Sequence, residues 1–178
     1  MRKEIIEKIE IPAGIEVEIA NGIIKIKKNG KEAEREYSGF DAKKEDNLII
    51  LGGKKATKKE KKLIKTIKAH IKNIILGFEK NFSYKLRICA VHFPMNVSVD
   101  KSKHEVIIKN FLGEVKPRVA KIVSGAEVKV DKENIIVESS NNEAAGQTAA
   151  NIENSCKINN RDRRVFQDGI YIIEKPEY

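Results

Sequence analysis

IEIPAGIEVEI, residues 9–19, returns in altered form as VHFPMNVSVD, residues 91–100, and the fold follows from reading the two as one motif used twice. Each sets an apolar residue before a proline, Ile11 before Pro12 and Phe93 before Pro94. Each then alternates, at Ile15, Val17 and Ile19 or at Val97 and Val99. Period-two alternation marks a half-buried strand. Downstream, the two halves keep the same order. A second strand, Ile23 to Lys27 or Glu105 to Lys109, ends at a turn, Asn29-Gly30 or Asn110 to Gly113. Asn and Gly tolerate the positive φ that tight turns demand. A charged strand or loop comes next. A short apolar strand follows, within DNLIILGG from Asp46 or KENIIVESS from Lys132.

Each half then opens a helix with the same signal. Thr57-x-x-Glu60 and Ser140-x-x-Glu143 both read as capping boxes, in which hydroxyl and carboxylate satisfy the first amides of a helix reciprocally. In the first helix Leu63, Ile64, Ile67, Ile71, Ile74 and Ile75 make an apolar stripe. In the second, Ala144, Ala145, Thr148, Ala149, Ile152 and Cys156 make a stripe of smaller residues, which lets that helix approach its sheet closely. The pattern predicts an α+β protein of two similar domains from internal duplication, each an antiparallel sheet with one helix packed on one face. The boundary falls between Gly77 and Ser83, giving domains 1–80 and 81–178.

With 178 residues, 40% of them hydrophobic, the chain has the material for one medium domain or two small ones and is not a disordered polyelectrolyte. Its formal charge of +9 makes polyanions the natural partners. No apolar run approaches the ~20 residues that span a bilayer, so no membrane partner is expected. The first residues, MRKEIIEKIEIP, carry acids and lack the apolar core of a secretory signal. Cys89 and Cys156 lie far apart and match no metal spacing. They read as reduced, buried thiols of a cytoplasmic protein. His70, His92 and His104 form no ligand pattern. Aromatic residues are sparse at 6% and Trp is absent, which argues against a stacking platform for single strands.

Two regions concentrate the positive charge. From Lys54 to Lys72 there are nine lysines and one acid, Glu60. Lys58, Lys61, Lys65, Lys68 and Lys72 recur at helical spacing and are read as lining the face opposite the apolar stripe. Such a row is either a phosphate-tracking face or ordinary solvated surface. The second region is distributed over the second half. Lys101, Lys103 and Lys109 come from its strands. Lys116, Arg118 and Lys121 flank Pro117. Lys157 follows the second helix, and NNRDRRVFQDG, residues 159–169, holds the densest arginine group, Arg161, Arg163 and Arg164, beside Asn160 and Gln167. Arginine presents a rigid fork of donors that matches phosphate and also stacks on bases. Gathered on one surface these cations form an RNA site; scattered, they are solubility charge.

Signatures of catalysis are missing from the sequence. Gly52-Gly53-Lys54-Lys55 is too short for a phosphate-binding loop of the G-x-x-x-x-G-K-[ST] type. Neither G-x-S-x-G nor H-E-x-x-H occurs. Cys89 and His92 are close in ICAVHF, but strand alternation turns them to opposite faces. Asp41 and Glu45 sit among lysines as surface carboxylates. No catalytic residue, metal or cofactor is expected.

HFPMNVSV at His92 to Val99, NFLGEVKPR at Asn110 to Arg118 and NNRDRRVFQDGIY at Asn159 to Tyr171 resemble the archaeal and eukaryotic branch of the large-subunit ribosomal protein L-six family. The resemblance spans essentially the whole chain. It implies two α+β domains from one duplicated RNA-binding-like unit, and a structural role in the large ribosomal subunit in the cytoplasm. It further implies binding to large-subunit rRNA beside the sarcin–ricin region, with neighbouring ribosomal proteins in contact and translation factors docking nearby. In the family the C-terminal domain is the main RNA anchor, and the first domain reaches toward the stalk base. Carried over by position, Asn110–Lys121 and Arg161–Gln167 become the leading RNA contacts. One departure stands out. The family's loop commonly reads GEK before its proline-arginine, whereas here Val115 separates Glu114 from Lys116.

The leading expectation is therefore a non-enzymatic ribosomal protein, not an obligate homo-oligomer, that grips folded RNA by phosphate neutralisation and shape. Two other classes compete. One is a basic protein–protein scaffold whose duplicated domains dock acidic partners. The other is a small hydrolase or transferase, which would need a polar pocket that the sequence does not supply.

Overall fold

The computed structural model describes residues 3–28, 30–162 and 164–177. In chain order they form β1 (Lys3–Glu10), β2 (Glu16–Ala20), β3 (Ile23–Lys28), β4 (Lys31–Glu36), β5 (Asp41–Glu45), β6 (Leu48–Ala56) and α1 (Lys58–Glu79). Then follow β7 (Phe82–Cys89), β8 (Asn96–Asp100), β9 (Glu105–Lys109), a short 3-10 turn (Phe111–Gly113), β10 (Arg118–Lys121), β11 (Glu127–Asp131), β12 (Asn134–Ser139), α2 (Asn142–Ser155) and β13 (Gly169–Glu174). The chain divides into two compact units, Met1–Glu79 and Lys80–Tyr178. Each has its own apolar core, one around Ile24, Ile26, Ile49, Leu51, Ile64 and Ile71, the other around Leu86, Val106, Ile108, Phe111, Ile135 and Ile152.

The fold is α+β, and duplication is written into its hydrogen bonds. The strands of each unit fall into two antiparallel sheets rather than one. Unit 1 has the orders β1-β6-β5 and β2-β3-β4; unit 2 has β7-β12-β11 and β8-β9-β10, with β13 added beyond β7. Ile9 pairs with Ile49 as Leu86 pairs with Ile135. The Ile11 amide donates to the Asn47 carbonyl at 2.8 Å, and the Ile88 amide donates to that of Glu133 at 2.8 Å. These pairs fix the equivalence of the halves. They also correct the alignment suggested by the prolines. The second repeat starts at Phe82, and Pro12 corresponds to Cys89, not to Pro94. Val91 to Phe93 form a bend rather than a strand, because the Val91 and His92 amides donate to the Asp168 side chain and so leave the ladder. Of the first turn, Asn29 lies outside the described residues.

The helices follow their stripes with two corrections. α1 buries Ile64, Ile67, Ile71 and Ile75 against its sheet, while Leu63 remains 37% exposed. Thr57 and Glu60 form the expected reciprocal cap. Lys65, Lys68 and Lys72 each follow a stripe isoleucine by one residue, which is about 100° of rotation. The lysine row therefore flanks the core face instead of opposing it. The outer face carries Lys59, Lys62, Thr66 and Ala69, all exposed. Lys68 is half-buried and donates to Glu7 on β1 at 2.5 Å.

In α2 the residues Ala144, Ala145, Thr148, Ala149 and Ile152 are all buried, as is Cys156 just beyond. The approach is close: a Cβ on Gly146 would lie 3.0 Å from the Tyr84 hydroxyl. Its N-cap is Asn141, whose side chain accepts the Glu143 amide at 2.9 Å, so Ser140 does not form the expected box. The cap shifts because Ser139 accepts the Asn141 amide and donates to the Gly125 carbonyl, tying the chain one residue earlier. Among the described residues no helix is long and apolar enough to cross a membrane.

Candidate nucleic-acid interface

Three separated stretches of unit 2 meet at one end of it. The first is the connection from β9 to β10, and the second is the bend Val91–Phe93 that packs beside it. Asn110, Leu112 and Gly113 all take left-handed backbone, with φ of 61°, 50° and 78°. This tight path lets Phe111, 1% exposed, plug the core while the loop beyond it projects. Asn110 donates its side-chain amide to the Pro94 carbonyl at 2.9 Å, and the Phe93 ring lies 3.7 Å from where a Cβ on Gly113 would be. The HFP bend and the Asn110 loop are thus joined directly.

Arg118 stitches that loop to the end of α2. Its guanidinium makes a paired contact with Glu114, at 2.8 Å and 2.6 Å, and donates to the Ser155 and Lys157 carbonyls at 2.9 Å and 3.1 Å. It also lies over the Phe111 ring, 4.2 Å from the centroid. The carbonyls at a helix C-terminus lack intrahelical partners and favour a cation. The hydrogen bond from Arg118, reinforced by its charge and that of Arg161, holds the Glu114 carboxyl below its usual range against the opposing effect of burial. With most of its donors committed internally, Arg118 is part of the framework, not an outstretched cation.

The third stretch follows α2. Asp162 turns it: its carbonyl accepts the Val165 and Phe166 amides and its side chain the Arg164 amide at 2.9 Å. Phe166 is stacked with His92, with ring centroids 5.1 Å apart, and Arg161 lies 4.8 Å from the Phe166 centroid on the same ring. Asp168 fastens the whole assembly. It is 2% exposed and accepts the Val91 amide at 2.8 Å, the His92 amide at 3.0 Å and the His92 Nδ1 at 2.5 Å. Burial works to raise its pKa, but the donors from His92 and Val91 outweigh it and keep the carboxyl below its ordinary value. At the same end, residues including Cys156, Lys157, Phe166 and Tyr171 line a cavity of about 400 Å³. Burial pushes the Cys156 thiol up to about 11, the hydrogen bond from Ser155 opposing only in part. Cys89, expected to be buried, is half-exposed.

The structure divides the residues singled out in the sequence. Lys109 and Lys116 are exposed at the end of β9 and on the loop after it, and Lys157, Asn160, Arg161, Arg164 and Gln167 are exposed on the segment after α2, with Arg118 joining the two. Gln167 is tied to the Arg164 carbonyl at 3.1 Å, and Asn160 takes a left-handed φ of 58°. Lys101, Lys103 and Lys121 sit elsewhere. Lys121 pairs with Glu105, and Lys101 and Lys103 form the β8–β9 turn, at the far end of the sheet from Asn110. Arg163 lies outside the described residues. The framework residues Asp168, His92 and Glu114 escaped sequence reasoning. Asp168 is 76 positions from His92, and no local spacing advertises such a pair. Among the described residues no group of three or more His, Cys, Asp or Glu side chains could hold a metal ion.

The family model described as "Ribosomal protein L6" matches residues 93–169, a span containing the loop, α2 and the arginine segment. Curated relatives match far more of the chain. The "Large ribosomal subunit protein uL6" of Methanobrevibacter smithii is 44% identical over 171 residues, 95% of this chain and 95% of that protein. Its namesake from Methanococcus vannielii is 43% identical over 171 residues, covering 95% of this chain and 93% of the relative. That from Desulfurococcus amylolyticus is 43% identical over 174 residues, covering 96% and 95%. With three signature stretches built into one framework, and such identity from end to end, the chain belongs to the ribosomal protein L6 family.

Proposed function

We propose that this chain is a non-catalytic protein of the large ribosomal subunit that anchors itself on rRNA through the converged end of unit 2. The observation that carries the reading is the assembly there of exposed Lys109, Lys116, Lys157, Arg161 and Arg164 around an internally satisfied framework. A main chain fixed in advance spares the cost of ordering the loops on binding, and the cations it carries meet a backbone of regularly spaced phosphates. Arg161 and Arg164, with Arg163 between them in sequence, clamp phosphates. Asn160 and Gln167 set register. Arg118 acts by holding the loop. Lys101, Lys103 and Lys121 bind a separate RNA segment or none, since they lie at the other end of the sheet. The family resemblance makes the RNA beside the sarcin–ricin region the expected target, with translation factors docking close by and unit 1 directed toward other proteins of the subunit.

The test is binding of the full chain to a large-subunit rRNA fragment containing the sarcin–ricin region, with an unrelated RNA of equal length as control. Changing Arg161, Arg163 and Arg164 together to Ala should weaken the cognate complex and lower the salt slope by about one for each phosphate left without its cation. Equal affinity for both RNAs, or an indifferent triple variant, overturns the assignment.

A further inference from the structure

We infer that the outer edge of β1 is a strand-accepting site for an extended, acidic and apolar segment of another protein. The two units differ at one place in an otherwise shared topology. In unit 2 the outer side of β7 is filled by β13, which runs antiparallel to it. In unit 1 no described strand pairs with the corresponding side of β1. The repeat thus contains both the open and the filled form of the same edge.

The register says which groups are on offer. Ile11 donates to Asn47, and Ile9 faces Ile49. In an antiparallel ladder, bonded residues alternate with residues that point their amide and carbonyl away. Ile9 and Ile11 are bonded to β6, so Ile6, Lys8 and Glu10 direct their backbone groups outward. By the equivalence of Ile11 with Ile88, Lys8 and Glu10 correspond to Lys85 and Arg87, the residues that receive β13. Lys85 makes an ion pair with Glu174 of β13 at 3.1 Å.

The groove beside this edge fits such an occupant. It has a volume of about 440 Å³ and is lined by Lys8, Ile9, Glu10, Lys68, Lys72, Ile75 and Leu76. Leu76 is 41% exposed. In unit 2 the matching space takes Ile170, 1% exposed, and Ile172, whose amide donates to Glu153 of α2 at 3.1 Å. An incoming strand with apolar residues at alternate positions would cover Leu76. An acid opposite Lys8 would reproduce the pair that Lys85 makes with Glu174. A second copy of this chain is disfavoured as occupant because it would bring another row of α1 lysines beside the first. Backbone pairing supplies affinity in this mode and the alternate side chains supply specificity.

The probe is a fluorescein-labelled decapeptide alternating Ile with Glu, titrated into the full chain by anisotropy. Two further versions carry N-methyl groups on one set of alternate amides or on the other. They leave the charge unchanged but block one edge of the strand each. The peptide should bind, one methylated version should fail and the other should bind like the parent. Lys8→Pro removes an outward amide and leaves the β6 ladder in place; it should abolish binding with the circular dichroism unchanged. Lys8→Glu should weaken binding by about tenfold. No binding, or equal binding of both methylated versions, overturns the inference. So does a dimer of the chain alone that Lys8→Pro dissolves, which makes the occupant a second copy. If Lys8→Glu lowers rRNA affinity while the peptide does not bind, the groove is an RNA contact and the inference is again overturned.

Discussion

Replacing Asp168 tests the framework without touching a single cation of the surface it supports. The Asp168 side chain accepts three donors while 2% exposed. Hydrogen bonds to a charged group contribute about 1.5–3 kcal/mol each, and a stranded buried donor costs about 1–3 kcal/mol. Val91 and His92 are themselves exposed, so water re-solvates their donors and the low end applies. Asp168→Ala should therefore cost about 3 kcal/mol, roughly 1 kcal/mol per donor. At an m-value of about 1.5 kcal/mol/M the urea midpoint of unit 2 falls by about 2 M. Tyrosine fluorescence follows this unit preferentially, since Tyr84, Tyr171 and Tyr178 lie in it and Tyr37 alone in unit 1. Asp168→Asn keeps an oxygen for the two amides and loses only the imidazole contact, so its cost is nearer to about 1 kcal/mol. Acid separates charge from geometry. The folded pKa of Asp168 lies below the ordinary value of 3.8, so its stabilisation is complete above about pH 4 and is lost as the pH falls through the folded value. The gap between wild type and Asp168→Asn should narrow on acidification. Asp168→Ala should also weaken rRNA binding with the salt slope unchanged, because every phosphate contact keeps its cation. A stability loss below about 1 kcal/mol in Asp168→Ala, or a gap that widens in acid, refutes the reasoning.

Two further expectations concern the helix caps and the thiols. Thr57→Ala and Asn141→Ala should each cost about 1 kcal/mol, whereas Ser140→Ala should be close to neutral, as read from thermal or urea unfolding. In the native protein a thiol reagent at pH 8 should label Cys89 and spare Cys156, whose thiol is buried and titrates only at about 11. Denaturant should expose both, and rapid labelling of native Cys156 would contradict the packing of the α2 terminus.

The repeat was legible because strand alternation and helical stripes are local signals. Ile15, Val17 and Ile19 announce β2, and the isoleucines of α1 announce its buried face. What the sequence concealed is long-range. The prolines suggested pairing Pro12 with Pro94, because nothing near Val91 discloses that an aspartate 77 positions on captures its amide. The same distance hid the site's framework. Arg118 looked like one more cation beside Pro117, and only the fold brings the end of α2 and Glu114 around it. The lysine row of α1 was misplaced for a different reason. Spacings of three and four identify one face but not its angle to a neighbouring stripe, and here that angle is about 100°.

β13 gives unit 2 a timetable. Every other element of the unit precedes it in the chain, yet its partner β7 comes first and occupies an interior position in the sheet. Domains emerging from synthesis fold from the N-terminal side, so unit 1 can close as soon as α1 has appeared. Unit 2 must hold β7, β12 and α2 with one flank bare until Gly169 to Glu174 arrive, and Asp168 arrives with them. A chain broken off before that point carries all of Lys109, Lys116, Lys157, Arg161 and Arg164 but neither the strand nor the carboxylate that holds Val91 and His92. Completion of the last strand is therefore the step that covers the outer side of β7 and sets Asp168 against Val91 and His92.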